Sequence, residues 1–180
     1  MLCIETKSLF KKYNSINAVD GIDLNIESGQ VFGFLGPNGA GKSTVIKLLT
    51  TLIQPTKGQV SVLGINTNKN PLEIRKRIGV ILQQPSYEPT LSVEKSLDKY
   101  GMMWNVDSKT RKKRTEELLT SFELQDIRKK KTEDLSIGLR RRVQVAREFM
   151  HDMDLLFLDE PTVGLDPTAR RQLLDFLKNK

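Results

Sequence analysis

One stretch of nine residues, Gly36-Pro37-Asn38-Gly39-Ala40-Gly41-Lys42-Ser43-Thr44, constrains this chain more than any other part of it. The pattern is G-x-x-x-x-G-K-[ST], a P-loop. It needs glycine because successive backbone N–H groups must curl around phosphate oxygens, in φ/ψ regions where a Cβ clashes. Gly36 and Gly41 mark its ends and Gly39 lies between them. Lys42 is placed to reach the β- and γ-phosphates, and Ser43 to hold Mg²⁺ through its hydroxyl. The helix that follows aims its N-terminal dipole at the anion. The context fits as well: an unbroken apolar run at residues 31–35 reads as a strand before the loop, and residues 43–52 read as a helix after it, stopped by Pro55. Gly36 to Thr44 is therefore the expected seat of ATP and its Mg²⁺.

A triphosphate site needs a second, acidic element to position metal and water. Leu155-Leu156-Phe157-Leu158-Asp159-Glu160 supplies one at the end of a buried strand. Asp159 would hold the metal, through water, and Glu160, one residue on, would polarise the attacking water as general base.

The remaining elements can be read coarsely. Residues 2–6 and 22–26 have strand patterns, and Ser28-Gly29 marks the turn ahead of the apolar run. Strands are expected at residues 59–63 and 78–82, separated by a basic segment at 73–77. From Ser92 the pattern turns helical, and residues 89–131 read as a helical subdomain inserted between two halves of an α/β core, with Tyr100, Met102, Met103 and Trp104 as core rather than ligand site. The core resumes with a helix at 139–150, the strand at 155–158 and a last helix from Pro167.

Length and charge bound the rest. At 180 residues with 38% hydrophobic content the chain fits one domain of ordinary size, and no apolar run approaches the roughly 20 residues of a membrane helix. The N-terminus has no signal-peptide pattern, and Cys3, the only cysteine, has no partner for an internal disulfide, so a cytoplasmic location is expected. The net charge of +7 gathers in runs at residues 111–114, 128–131 and 140–142. These are interleaved with Glu116, Glu117, Glu133 and Asp134 and lack the aromatic spacing of a base-stacking surface, so they read as solvated helix faces and loops, and no nucleic acid partner is expected.

Over its whole length the chain resembles the ATP-binding subunits of ABC transporters. Leu135-Ser136-Ile137-Gly138-Leu139 is similar to the family's signature, whose Ser and Gly bind the γ-phosphate of the ATP held by the opposite subunit. Gln83 resembles the Q-loop glutamine, which touches both Mg²⁺ and the transport domain; Gln84 competes for the role, and Gln83 is preferred because it follows the strand more directly. Gly164-Leu165-Asp166 is similar to the D-loop that bridges the two sites, and Tyr13 stands where the family places a ring that stacks on adenine. The wording around residues 77–80, 139–142 and 161–167 is nearest to subunits that drive exporters of drugs and small molecules.

The resemblance implies a P-loop NTPase, RecA-like core with an antiparallel β subdomain and the inserted helical subdomain. Residues 1–88 would form the β subdomain and first half of the core, 89–131 the helical insert, and 132–180 the part with the signature, the acidic strand end at 155–160 that corresponds to the family's Walker B, and the D-loop. It implies ATP hydrolysis in a homo- or heterodimer of such subunits, with Lys42, Gln83 and Glu160 acting on the phosphates and Ser43, Gln83 and Asp159 on Mg²⁺. A transmembrane partner would dock between Gln83 and Ser92 and hold the chain on the inner face of the membrane. A soluble ABC ATPase working on nucleic acid or ribosomes is the alternative, although the coiled-coil insertion or second domain usual for that class is not visible. A P-loop kinase of small metabolites would leave the signature and D-loop segments unexplained.

Two departures matter. Ile137 occupies a position that is usually Gly, where a β-branched side chain must point away from the phosphate or hold the partner off. The only histidine, His151, precedes the Walker B strand and cannot be the family's switch histidine. In folds of this kind the strand after Walker B lies between it and the P-loop strand, so these 180 residues would leave core backbone groups unpaired, each costing about 1–3 kcal/mol if buried and dry. The expectation is the first part of a longer product, with a naturally short, non-hydrolysing form as the alternative.

Overall fold

A computed structural model describes residues 1–84, 86–163, 165 and 167–178. The chain divides into two compact units, Met1–Ile78 and Gly79–Lys180.

In the first unit β1 (Leu2–Tyr13) and β2 (Ile16–Glu27) form a long antiparallel hairpin, and β3 (Lys57–Val62) and β4 (Ile65–Asn66) extend it to a four-stranded sheet of order β2-β1-β3-β4. Both hairpin strands run further than their alternating patterns suggest. Alternation selects one face: Ile4, Leu9, Val19, Ile26, Val60 and Val62 are buried. Thr6 mends an irregular register by donating its hydroxyl to the Ile22 carbonyl and accepting from the Leu24 amide, both at 2.9 Å. Helix α1 (Lys42–Leu49) lays Val45, Ile46, Leu48 and Leu49 into this core. The basic segment is itself a helix, α2 (Pro71–Arg77), with Pro71 at its start, Glu73 in its first turn and Arg75, Lys76 and Arg77 in its last. That charge order complements the helix dipole and was available in the sequence.

The strand expected at residues 31–35 does not form. Residues 31–37 carry no regular structure, and Val31 and Leu35 are about fully exposed at 104% and 97%. An apolar, β-prone run becomes a strand only when a neighbour takes its alternating N–H and C=O groups, and no described residue pairs with it.

In the second unit β5 (Ile78–Ile81) pairs with β6 (Leu155–Leu158). Around them lie α3 (Val93–Met103), α4 (Ser108–Ser121), α5 (Ile137–Glu148) and α6 (Pro167–Lys178). Leu97 of α3, Leu119 of α4, Leu124, Val145 and Ala146 of α5 and Met150 are all fully buried at its centre. Side chains cap three of the helices: Ser92 accepts from the Lys95 amide, Asp107 from Thr110 and Ser136 from Leu139. The two ends of the segment from 91 to 132 are tied together, the Val93 amide donating to Lys130 O at 3.1 Å and the Thr132 amide to Leu91 O at 2.9 Å. Only part of the aromatic and methionine cluster joins the core. Tyr100 packs against it, but Met102 and Met103 are exposed: Met102 lies across α3 from Leu97 and Tyr100, and Met103 is the last residue of the helix.

Candidate functional site

In the first unit the P-loop has the geometry of an anion nest. Gly39 and Gly41 have φ of 83° and 85°, values that favour glycine, and the Ala40 amide closes a turn on Pro37 O at 3.2 Å. At Gly41 a second constraint applies: a Cβ would run into the carbonyl oxygen of Ala18 on β2, so the loop rests on the hairpin through a contact only glycine allows. Gly41 is also the N-cap of α1. It brings no side-chain cap, and the first turn holds no acidic residue, so the leading N–H groups of α1 stay available to a phosphate. Lys42 donates Nζ to the carbonyls of Gly36 and Pro37, each at 2.8 Å, which holds the ammonium over the loop. These residues fit a phosphate chain, with Ser43 and Thr44 following in the first turn. On the same hairpin Tyr13, at the end of β1, is 46% exposed, with the Lys11 ammonium 5.1 Å from its ring. A flat exposed ring is what base stacking needs.

In the second unit the acidic pair sits at the end of β6. The Asp159 amide donates to Ile81 O at 2.8 Å, which continues the pairing with β5 and buries Asp159. The next residue turns sharply: Glu160 adopts φ 50°, a left-handed conformation that a residue with a Cβ takes only under constraint. This lifts its carboxylate into solvent, where Gln83 Nε2 donates to Glu160 Oε2 at 2.9 Å. Gln83 and Glu160 are 77 residues apart in sequence and are brought together here. Gln84 offers its carbonyl, which accepts from Gln144 Nε2 at 3.5 Å.

Ser136 is the N-cap of α5, its Oγ accepting from the Leu139 amide at 3.3 Å, so its O–H remains a donor at a helix N-terminus. Gly138 lies in the first turn of the same helix, and Ile137 points to solvent at 65% exposure. Asp166 and Gly164 of the D-loop segment lie outside the described residues, as does Pro85.

The family model for the ABC transporter matches residues 19–163, a span that contains the P-loop, Gln83, Ser136, Gly138, Asp159 and Glu160. This chain belongs to that family. Among curated proteins it is 42% identical over 175 residues to the daunorubicin/doxorubicin resistance ATP-binding protein DrrA of Streptomyces peucetius, covering 97% of this chain and 53% of DrrA. It is 38% identical to the bacitracin transport ATP-binding protein BcrA of Bacillus licheniformis, covering 94% and 55%. The chain thus spans about half the length of the curated relatives it matches. A solved dimeric ATP-binding cassette, in a post-hydrolysis state with ADP and Pi bound, superposes with a TM-score of 0.89 at 28% identity, over 98% of this chain and 82% of that one. The fold is that of a P-loop NTPase of the ABC class. Among the described residues no helix is long and apolar enough to cross a membrane.

Three buried residues of this ABC cassette escape a reading by motif. Arg141, 1% exposed, hydrogen-bonds the carbonyls that follow both β5 and β6. Arg147 donates to Glu88 Oε2 at 3.0 Å and to Ser86 O at 2.9 Å, tying α5 to the segment after Gln83. Glu148 accepts from Tyr100 Oη at 2.7 Å and from the Val80 amide at 3.3 Å. The run at residues 140–142 is therefore not a solvated face: Arg140 stacks over Tyr87 at 5.0 Å, Arg141 is buried and Arg142 pairs with Glu123 at 3.4 Å. For Arg141 and Glu148 helical spacing was a signal, since 141, 145 and 148 share one face of α5; Arg147 lies off that face and had no such signal.

Proposed function

We propose that this chain is the ATP-binding and ATP-hydrolysing subunit that energises an ABC transporter exporting drugs or other small molecules. The observation that carries the catalytic part is the Gln83–Glu160 hydrogen bond beside Asp159, a polar pair exposed at a strand end in a chain that also holds a P-loop. The relatives' names, drug resistance and bacitracin transport, support export.

In this reading Tyr13 stacks on adenine, and residues 36–44 enclose the phosphates with Lys42 on the β- and γ-oxygens. Ser43, Gln83 and Asp159 would hold Mg²⁺, which when bound would neutralise phosphate charge. Glu160 takes a proton from the attacking water as its oxygen bonds to the γ-phosphorus and the bridging P–O bond breaks, leaving ADP and phosphate. Ser136 and Gly138 bind the γ-phosphate held by a second ATP-binding subunit, and Asp166 bridges the two sites. A transmembrane partner docks between Gln83 and Ser92, which places the chain on the inner face of the membrane. Three arginines of the basic runs are engaged within the chain, Arg111 on Asp98, Arg114 on Asp152 and Arg128 on Glu94 and Glu116, while Lys112, Lys129 and Lys130 are exposed. The relatives' names favour the transporter reading over one acting on nucleic acid.

The test is Glu160→Gln in the assembled transporter. ATP binding persists while turnover falls by at least about 10²-fold if the carboxylate is the general base. Near-normal turnover would refute the role.

A further inference from the structure

Arg141 is the largest of the fully buried side chains, and its surroundings are unusual for a cation. Nε donates to Pro161 O at 3.1 Å. Nη1 donates to Leu82 O at 2.6 Å and to Gln144 Oε1 at 2.8 Å, with Gln83 O at 3.5 Å. Nη2 donates to Glu160 O at 2.9 Å and Asp159 O at 3.3 Å. All five N–H groups of the guanidinium thus have acceptors, five of the six acceptors being backbone carbonyls. They fall into two sets: the carbonyls that follow β5 (Leu82 and Gln83) and three successive carbonyls that follow β6 (Asp159, Glu160 and Pro161). Burial alone disfavours this charge, and the Asp159 carboxylate partly offsets that cost.

The geometry has a direct consequence at Glu160. Its left-handed φ of 50° turns the chain so that the carbonyls before, at and after it converge on one guanidinium. Such a conformation persists only where the surroundings over-determine it. The same conformation sends the Glu160 side chain outward to Gln83, whose own carbonyl lies at the other edge of the guanidinium. Arg141 belongs to α5, five residues after its cap Ser136, or about 7.5 Å along the axis at 1.5 Å per residue.

We infer that Arg141 is the positioning residue that holds Glu160 and Gln83 in their shared geometry and fastens both to the helix that begins at Ser136. Its acceptors lie within the chain, and it acts through the backbone of the two residues proposed to reach water and metal. This rests on the proposed role of Glu160 as base. A bulky cation whose only duty was to fill the core would serve as well if its acceptors were scattered; here they are the backbone on both sides of the reacting pair.

The experiment is a double-mutant cycle in the subunit assembled with its partners, reading single-turnover ATP hydrolysis, ATP affinity and melting temperature. Arg141→Met should lower the hydrolytic rate by about 10-fold or more with ATP affinity within about 2-fold, since the P-loop is untouched. In the Glu160→Gln background the same substitution should cost less than about 2-fold, because there is no longer a base to misplace. If Arg141→Met does not fold, Arg141→Lys carries the same cycle: one nitrogen keeps the charge but cannot span both carbonyl sets, and a loss of about 3-fold or more confined to the Glu160 background is expected. An equal loss in both backgrounds, or no loss at all, overturns the assignment and leaves Arg141 a structural cation. Normal turnover by Glu160→Gln alone would instead refute the base itself, taking this inference with it, so the two failures are told apart.

Discussion

Glu148 meets burial differently from Arg141. The residue is 5% exposed, and desolvation pushes its pKa above the ordinary value of 4.5, against the Tyr100 hydroxyl, the Val80 amide and the nearby Arg147 cation, all of which favour the ionised form. Tyr100 is raised in turn, by its own burial first and by the Glu148 charge second. A raised folded-state pKa means that the folded chain binds the proton more tightly than the unfolded one. The stability this group contributes is fully present below pH 4.5 and is lost as pH rises through the shifted value. The melting temperature of the wild type, measured relative to Glu148→Gln, should therefore fall as pH is raised from about 4.5 towards neutrality. Parallel melting curves across that range would show that the hydrogen bonds to Tyr100 and Val80 cancel the desolvation.

At the scale of elements, what the sequence foretold and what it missed follow from how local each signal is. The P-loop, the cap of α5 at Ser136 and the Asp159-Glu160 strand end are set within a few residues: the P-loop runs into α1, Ser136 caps α5 and the acidic pair follows β6, although the strand read ahead of the P-loop does not form. The contacts that join them are not local: Gln83 meets Glu160 across 77 residues, and Arg141 reaches Leu82 across 59. Residues 31–35 had the right composition for a strand, but composition cannot supply a partner for the ladder. The α3 terminus offered four large apolar residues in five positions; the helical period sets Met102 across from the core, and the end of the helix leaves Met103 outside it. That decision can be measured. Leu97→Ala, at a fully buried site shared by α3, α4 and α5, should cost about 2–5 kcal/mol in chemical denaturation. Met103→Ala, 68% exposed on the same helix, should stay within about 0.5 kcal/mol of wild type. Comparable losses would mean that the methionine face is covered in solution.

At the scale of the whole molecule, the groups proposed to act on one γ-phosphate are divided between compact units, with Lys42 in the first and Ser136 and Gly138 in the second. The proposed dimer builds each site from the P-loop of one subunit and the α5 terminus of the other. The exposure of Ile137 leaves that terminus at the surface, where another chain can reach it. If both positions of the dimer are filled by this chain, the interface repeats itself about a two-fold axis, and each subunit gives one half to each of two sites. Complementation tests that directly. A dimer of Lys42→Ala has two sites without the lysine, and a dimer of Ser136→Ala has two sites without the signature hydroxyl. In a mixed dimer both defects fall into one site, while the other joins a wild-type P-loop to a wild-type signature. Random 1:1 assembly makes about half of the dimers mixed, so about a quarter of the sites should be intact, and steady-state ATPase activity should recover towards that fraction if one site can turn over alone. Sites complete within one subunit would give only the average of the two inactive proteins at every mixing ratio. Recovery that peaks at 1:1 and vanishes at either extreme requires that Ser136 serve the nucleotide held by another subunit's Lys42.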